Sequence, residues 1–210
     1  MAKSNQSKTT KTTLLPIRVN PSWSFAVDEV YPWAYWSEAL SPAKCQEIID
    51  HALTFEMMDA GINRETGVDF LTRSSRITWL YPSEKLDWLF RRVTDITVEL
   101  NKKYFGFDLF GLIEGFQFTE YKGPLGHYGK HMDTTFKGPI RKLSISIQLS
   151  PPESYEGGDL ELYFSDIPDT TIREQGSMIL FPSYTMHRVS PVISGTRYSL
   201  VGWVTGKPFV

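Results

Sequence analysis

Hydrophobic residues follow two different periods along the chain. Over residues 41–54 and 83–104 they recur every three or four positions, which predicts two amphipathic helices. Ser41 followed by Pro42 is a helix-start signal, because the hydroxyl caps free N–H groups and proline suits the first turn. Gly106 stands where the second helix should end. The residues expected to be buried on these helices are Cys45, Ile48, Ile49, Leu53, Leu86, Leu89, Phe90, Val93 and Ile96.

Beyond Gly106 the period shortens to that of β-strands. Short apolar or alternating segments are separated by Gly, Pro, Asp and Ser, and they cover residues 113–121, 142–150, 159–164, 177–181, 186–192 and 196–205. Many short strands predict a sandwich or a barrel, and helices that precede them should pack on the outside of the sheet. The predicted fold class is α+β and mainly β, with helical support over about 41–106 and a β core over about 107–205.

The segment 143–150 gives the clearest strand. Leu143, Ile145, Ile147 and Leu149 alternate with Ser144, Ser146, Gln148 and Ser150. Alternate residues point to opposite faces of a strand, so one face is apolar and the other polar. The polar face either meets water or lines a wet cavity inside the β structure, and the alternation favours neither.

The composition indicates one domain preceded by a short tail. Of the 210 residues, 41% are hydrophobic and 22% charged, which suits a single core and excludes collagen, a coiled coil and wholesale disorder. Residues 1–20 hold four basic side chains and no acidic one, which predicts a flexible basic tail before a domain at 21–210. Cys45 is the single cysteine, which excludes an internal disulfide, and no apolar run reaches the about 20 residues of a membrane span. We expect a cytoplasmic protein without a membrane segment.

Candidate metal ligands occur at His131, Asp133 and His187. Residues two apart on an extended segment point to the same side, so His131 and Asp133 can converge on one ion. His187 follows a later apolar strand and can supply a third ligand. Two histidines and one carboxylate bind Fe(II) on one face and leave positions open for other ligands. The alternative is a pair of surface or hydrogen-bonding histidines.

Arg197 strengthens the metal hypothesis. Pro191 and the dipeptide 194–195 indicate a turn, so we expect His187 and Arg197 to face each other across a hairpin. A guanidinium binds a carboxylate through two parallel hydrogen bonds and so could hold the far end of a metal-chelating dicarboxylate. The segment 73–76, which contains two arginines, either lines the mouth of this site or is an exposed polar start of a strand.

The spacing of four residues resembles that of the iron- and 2-oxoglutarate-dependent dioxygenases of the prolyl-4-hydroxylase-like superfamily: His131, Asp133, His187 and Arg197. Residues 155–160 (Tyr-Glu-Gly-Gly-Asp-Leu) and the segment from Phe-Pro-Ser at 181–183 into 187–192 are similar to bacterial PKHD-type hydroxylases. The resemblance is strong over residues 116–203, weaker over the helical region and absent in the tail.

This resemblance implies a double-stranded β-helix, or jelly roll, with helices supporting one sheet. It implies that His131, Asp133 and His187 hold the iron and that Arg197 pairs with the distal carboxylate of 2-oxoglutarate. Tyr121 would contact the co-substrate. Gln148 occupies a position on the inner strand where relatives often have a tyrosine or another polar residue, so the polar face of that strand would line the co-substrate pocket.

The implied activity is hydroxylation of a prolyl or other peptidyl substrate, with Fe(II), 2-oxoglutarate and O2, release of succinate and CO2, and ascorbate as a candidate accessory. A free amino acid or another small molecule is the alternative substrate. A non-catalytic jelly-roll binding module is the alternative class. A nucleic-acid demethylase is disfavoured, because the net charge of −2 offers no basic groove and residues 198–204 lack a further arginine. The residues predict no particular oligomeric state.

Overall fold

The computed structural model describes residues 2–4, 31–60, 72–134 and 138–208. Fifteen strands occur in these ranges: β1 (Ala2–Ser4), β2 (Ala34–Trp36), β3 (Met58–Asp59), β4 (Arg73–Ser74), β5 (Arg76–Leu80), β6 (Leu109–Leu112), β7 (Phe116–Lys122), β8 (His127–His131), β9 (Arg141–Gln148), β10 (Tyr155–Gly157), β11 (Leu160–Tyr163), β12 (Asp169–Thr170), β13 (Met178–Pro182), β14 (Met186–Val189) and β15 (Val192–Gly206).

Both predicted helices are confirmed, with shorter bounds. Helix α1 (Pro42–Ala52) begins at the expected cap, where the Ser41 side chain accepts a hydrogen bond from the Lys44 amide. Helix α2 (Asp87–Leu100) continues into a π-helical turn (Asn101–Phe105), and Gly106 ends it in the left-handed conformation at φ 68°. The predicted burial of Leu53 is wrong: the residue lies just beyond α1 and is exposed.

The strands form two antiparallel sheets, which confirms the mainly β jelly-roll fold class. The larger sheet has ten strands, with β1-β2-β13-β9-β15-β7-β5-β3 in order and β6 and β10 attached to β15. The smaller sheet has five strands in the order β12-β11-β14-β8-β4. The region predicted as helical support therefore also contains strands of both sheets, which its sequence did not reveal because each is short.

Strand β9 separates two different environments. Its apolar residues, including Ile145 and Ile147, belong to a core shared with α1 and α2 on the outer face of the larger sheet. Its polar residues Ser144, Ser146 and Gln148 are also buried, on the face directed toward the smaller sheet. The polar face thus lines the interior of the sandwich, which answers the question that alternation left open.

A second apolar cluster lies inside the sandwich and encloses one side of the interior. Its buried members are Trp33, Tyr121, Tyr155, Leu160, Leu162, Ile179, Phe181, Val189 and Val192. These side chains come from both sheets and from the segments between them. They hold the two sheets together and leave the polar residues of β9 facing a cavity.

The predicted hairpin between His187 and Arg197 is wrong. His187 lies on β14, which pairs with β8 and β11, whereas Arg197 lies on β15, which pairs with β7 and β9. The chain crosses from the smaller sheet to the larger one between these strands, so the two residues face one another across the sandwich.

Of the predicted basic tail, the structure describes residues 2–4, whose backbone pairs antiparallel with β2. The other tail residues, and the predicted domain boundary at 20–21, lie outside the described residues. None of the helices in the described ranges has the length and apolar character needed to cross a membrane.

Candidate active site

Three predicted ligands meet at one end of a cavity between the sheets. The Nε2 atom of His131 lies 3.7 Å from Oδ1 of Asp133, and Nε2 of His187 lies 3.5 Å from Oδ2. One donor atom from each residue can be chosen so that all lie within 4.8 Å of one another. His131 ends β8, Asp133 follows it, and His187 pairs with His131 across the β8–β14 ladder.

Backbone carbonyls orient both imidazole rings. Nδ1 of His131 lies 2.8 Å from the carbonyl oxygen of Gly129, and Nδ1 of His187 lies 2.9 Å from that of Thr185. A proton on Nδ1 that is donated to these oxygens leaves the Nε2 lone pairs directed toward Asp133. Metal-binding histidines in proteins are commonly held in this way.

The environment keeps His131 neutral and Asp133 charged. Burial, together with the nearby His187, lowers the pKa of His131 to about 4, although Asp133 acts in the opposite direction. Burial by itself would raise the pKa of Asp133, but the two imidazoles and a hydrogen bond from Ser144 outweigh it and lower the pKa. Neutral imidazole and ionised carboxylate are the forms that bind a divalent cation.

Ser144 and Ser183 fix the carboxylate. The Ser144 hydroxyl donates to Oδ2 of Asp133 at 2.7 Å and lies 3.0 Å from the Ser183 hydroxyl. The amide of Asp133 donates to the carbonyl oxygen of Ser183 at 3.0 Å. From the sequence, Ser144 could be placed only on a polar strand face, because its contact with Asp133 joins two segments whose relative position the sequence does not give.

Arg197 lies in the same cavity, on the larger sheet. Its side chain is almost fully buried, and Nη2 donates to Oε1 of Gln148 at 2.9 Å and Nη1 to Ser199 at 3.4 Å. The Nε–H has no partner, and within the described ranges no carboxylate forms an ion pair with this guanidinium. A buried cation left without an anion is unfavourable, so the site fits an external carboxylate such as one end of 2-oxoglutarate.

The other predicted co-substrate residues lie beside Arg197. Tyr121 pairs with it across the β7–β15 ladder, with its ring centre 5.4 Å from Cζ. Gln148 accepts from the guanidinium and donates to the carbonyl oxygen of Ile172 at 3.2 Å. The structure therefore places Gln148 against the arginine, where it fixes the guanidinium.

Glycines 157 and 158 belong to the segment 155–160, and Gly158 packs closely against Arg197. Both have left-handed backbone, at φ 72° and 67°. A Cβ atom on Gly158 would lie 3.2 Å from Cδ of Arg197 and 2.8 Å from Cγ2 of Val192. Glycine at this position leaves the room that the arginine stem occupies.

Several residues of the cavity wall were missed or left open in the sequence. Tyr128 stacks on His131 with ring centres 3.5 Å apart, and the guanidinium carbon of Arg73 lies 4.3 Å from the centre of the Tyr128 ring. A bulge in the β8–β14 pairing lets Tyr128 and His131, three positions apart, line the same cavity. Arg141, which lies 3.8 Å over the Trp203 ring, was missed because it precedes the alternating segment.

The cavity has a volume of about 540 Å³, within the usual range for a small-molecule site. Its wall holds the three candidate ligands at one end together with Arg197, Arg73 and the rings of Trp79 and Trp203. The donor set suits Fe(II), and the buried guanidinium suits a dicarboxylate that reaches it from the metal.

Comparison with known proteins agrees with this arrangement. Residues 116–205 match the model of the 2OG-Fe(II) oxygenase superfamily. The chain is 44% identical over 82 residues to a PKHD-type hydroxylase of Hyphomonas neptunium, covering 37% of each chain. It is 46% identical over 78 residues to one of Parvibaculum lavamentivorans, covering 37% of this chain and 36% of the other. These matches span little more than a third of the length of those hydroxylases.

Solved structures share the fold over most of the chain. A prolyl-4-hydroxylase of Pseudomonas putida has a TM-score of 0.66 at 21% identity, with 84% of this chain and 94% of that chain covered. A prolyl hydroxylase of Trichoplax adhaerens, solved with a peptide fragment of hypoxia inducible factor, has a TM-score of 0.70 at 18% identity, with 83% and 84% covered.

Residues 116–205, which carry the His-Asp-His cluster, are therefore similar in sequence to the 2OG-Fe(II) oxygenase superfamily. The matched relatives are named PKHD-type hydroxylases, and the solved prolyl hydroxylases share the fold of this chain.

Proposed function

We propose that this protein is an Fe(II)- and 2-oxoglutarate-dependent dioxygenase that hydroxylates a prolyl or other peptidyl substrate. The observation that carries the proposal is one cavity whose wall holds both a His-Asp-His cluster and a buried arginine that has no acidic partner among the described residues. When bound, iron with 2-oxoglutarate and O2 supplies the oxidising chemistry, and succinate and CO2 are the co-products.

The chain's own residues have separable tasks. His131, Asp133 and His187 would hold the metal, and Ser144 keeps the carboxylate in place through its 2.7 Å hydrogen bond. Arg197 would bind the distal carboxylate of 2-oxoglutarate with charge-assisted hydrogen bonds. Burial of these groups strengthens their electrostatic interactions and excludes water from the co-substrate.

The substrate class draws its support from the relatives and from the cavity wall. The fold neighbours are named as prolyl hydroxylases, and one was solved with a peptide bound. In this chain the rings of Trp79 and Trp203 lie 6.0 Å apart and border the cavity, where they add aromatic surface that an apolar side chain can contact. A free amino acid is the second candidate, favoured by the charge at Arg73.

Replacing Asp133 tests the proposed activity. The Asp133→Ala variant should lose at least about 99% of Fe(II)-dependent succinate formation from 2-oxoglutarate, because one of three metal ligands is removed. Succinate is measured with and without prolyl peptides, and mass spectrometry checks the peptides for a gain of one oxygen atom. Asp87→Ala is the matched control, since Asp87 makes an exposed ion pair with Arg91 on α2. Wild-type activity in Asp133→Ala would rule out this metal site.

A further inference from the structure

Arg73 is a second buried cation in the cavity wall. It lies on β4 and is 7% exposed. Its Nε donates to the Ser75 hydroxyl at 2.7 Å, and its Nη2 donates to Oε1 of Gln117 at 2.9 Å. Both acceptors are neutral, and no carboxylate in the described ranges forms an ion pair with Arg73. The positive charge is therefore held in place by hydrogen bonds but is not balanced.

Arg141, on the same cavity wall, is a partly buried cation whose charge is balanced by a carboxylate. Its Nε and Nη2 donate to the two carboxylate oxygens of Glu114 at 2.8 and 2.6 Å. A buried charge without a counter-charge costs free energy, and proteins usually pair it. Arg73 has no such neighbour in the part of the chain that the structure describes, so its charge is available to an anion that enters the cavity.

The position of Arg73 brings such an anion close to the metal cluster. Its guanidinium carbon lies 4.3 Å from the ring centre of Tyr128, and that ring stacks on His131 at 3.5 Å. Arg197, by contrast, lies on the larger sheet beside Tyr121. The two guanidiniums therefore belong to opposite sheets and can bind two different acidic groups.

If the cavity binds Fe(II) and 2-oxoglutarate, as the proposed function requires, one cation of its wall remains without a counter-charge. A divalent metal offsets Asp133 and one co-substrate carboxylate, and Arg197 offsets the other carboxylate. Arg73 is then the uncompensated charge on the wall. We propose that Arg73 binds a carboxylate of the prime substrate, supplied either by a free amino acid or by the carboxyl end of a peptide.

Paired probes test the preference for a carboxylate and distinguish the two sources. The probes are L-proline against L-prolinamide, and N-acetyl-alanyl-proline against its carboxamide. Binding to the protein loaded with Fe(II) and 2-oxoglutarate without O2 is followed by tryptophan fluorescence, since Trp79 and Trp203 line the cavity. At least one carboxylate should bind about tenfold or more tightly than its amide, the usual effect of a charge-assisted hydrogen bond.

Variants assign that preference to Arg73. Arg73→Gln should remove the tighter binding of the acid over the amide. Arg73→Lys should retain part of this preference, because lysine keeps the charge but cannot form the bidentate hydrogen bonds. Arg76→Gln is the matched control and should retain all of it, since Arg76 is half-exposed and pairs with Glu120. Succinate formation in the presence of O2, with the same probe pairs, gives a second readout of the preference.

Each remaining outcome overturns the proposal in a recognisable way. Equal binding of acid and amide in both pairs, in wild-type protein that binds Fe(II) and 2-oxoglutarate, rejects a carboxylate on the prime substrate while the proposed function stands. Weaker 2-oxoglutarate binding in Arg73→Gln, with the preference for the acid intact at saturating 2-oxoglutarate, assigns Arg73 to the co-substrate. Wild-type protein that binds no 2-oxoglutarate rejects the proposed function itself.

Discussion

Arg197 and Asp133 carry opposite charges in one cavity, and each is held by its own hydrogen bonds. Asp133 accepts from Ser144, and Arg197 donates to Gln148 and Ser199. Burial makes each of these bonds costly to lose, since a buried polar group without a partner is unfavourable. The side chains are therefore preorganised before any co-substrate binds.

Removing the Arg197 guanidinium should weaken 2-oxoglutarate binding. Arg197→Ala should raise the KM for 2-oxoglutarate about 10- to 100-fold, because this fold-change corresponds to the free energy of the hydrogen bonds that a charged group forms. Succinate kinetics at varied 2-oxoglutarate measure this, with Arg188→Ala as the control, since Arg188 pairs with Glu161. An unchanged KM in Arg197→Ala would move the carboxylate-binding residue elsewhere.

The residue types in the sequence were enough to predict which side chains form the candidate site, but not which contacts hold them in place. His131, Asp133, His187 and Arg197 stand out because few side chains bind iron or a carboxylate, and the structure brings all four to one cavity. The contact between Ser144 and Asp133 could not be predicted, because it depends on how β9 lies against the segment after β8.

Elements, more than single residues, decide which side chains meet. The hairpin expected between His187 and Arg197 was wrong because turn residues look alike whether the chain returns within a sheet or crosses to the other one. The bulge between β8 and β14 is likewise invisible to simple alternation, which would put Tyr128 and His131 on opposite faces. Sequence periodicity found six of the strands, namely β7, β9, β11, β13, β14 and β15. It missed shorter ones, including β8, which carries His131, and it could not give the strand partners.

The Gly-Gly pair at the end of β10 provides a test at the scale of elements. Gly158→Ala should lower the free energy of unfolding by about 1–2 kcal/mol, because alanine is strained at positive φ. It should also raise the KM for 2-oxoglutarate, because the new methyl group would lie 3.2 Å from Cδ of Arg197. Denaturant unfolding and succinate kinetics measure the two effects.

Gly106→Ala separates strain from crowding. Gly106 has nearly the same φ, 68° against 67°, but a Cβ there would have no neighbour within 4 Å among the described residues. This variant should lose similar stability and keep the wild-type KM. A KM that rises equally in both variants would show that general destabilisation, and not displacement of Arg197, is the cause.

The whole molecule combines an apolar core outside the larger sheet with a polar cavity inside the sandwich. The helices cover one face of that sheet, so the same strand can contribute Ile147 to the core and Ser146 to the cavity. The sequence could predict the fold class because helices precede strands and the strands are short. It could not predict the strand order, which depends on pairings between distant segments.

Cys45 reports on the integrity of this architecture. Burial raises the pKa of its thiol to about 11, so the folded protein holds little reactive thiolate at pH 8. Reaction with a thiol reagent should be at least about 1,000-fold slower than in the denatured chain, as expected if labelling requires unfolding. Labelling at the denatured rate would contradict the packing of α1, and the same assay checks the fold of every variant above.

The most direct measurement of the central claim is an anaerobic titration of the protein with Fe(II) and 2-oxoglutarate, followed by visible absorption. The proposed function predicts a metal-to-ligand charge-transfer band that needs both components, is absent from Asp133→Ala, and decays with formation of succinate when O2 is admitted. A protein that binds no 2-oxoglutarate and shows no band would contradict the dioxygenase and leave a jelly-roll binding module in its place.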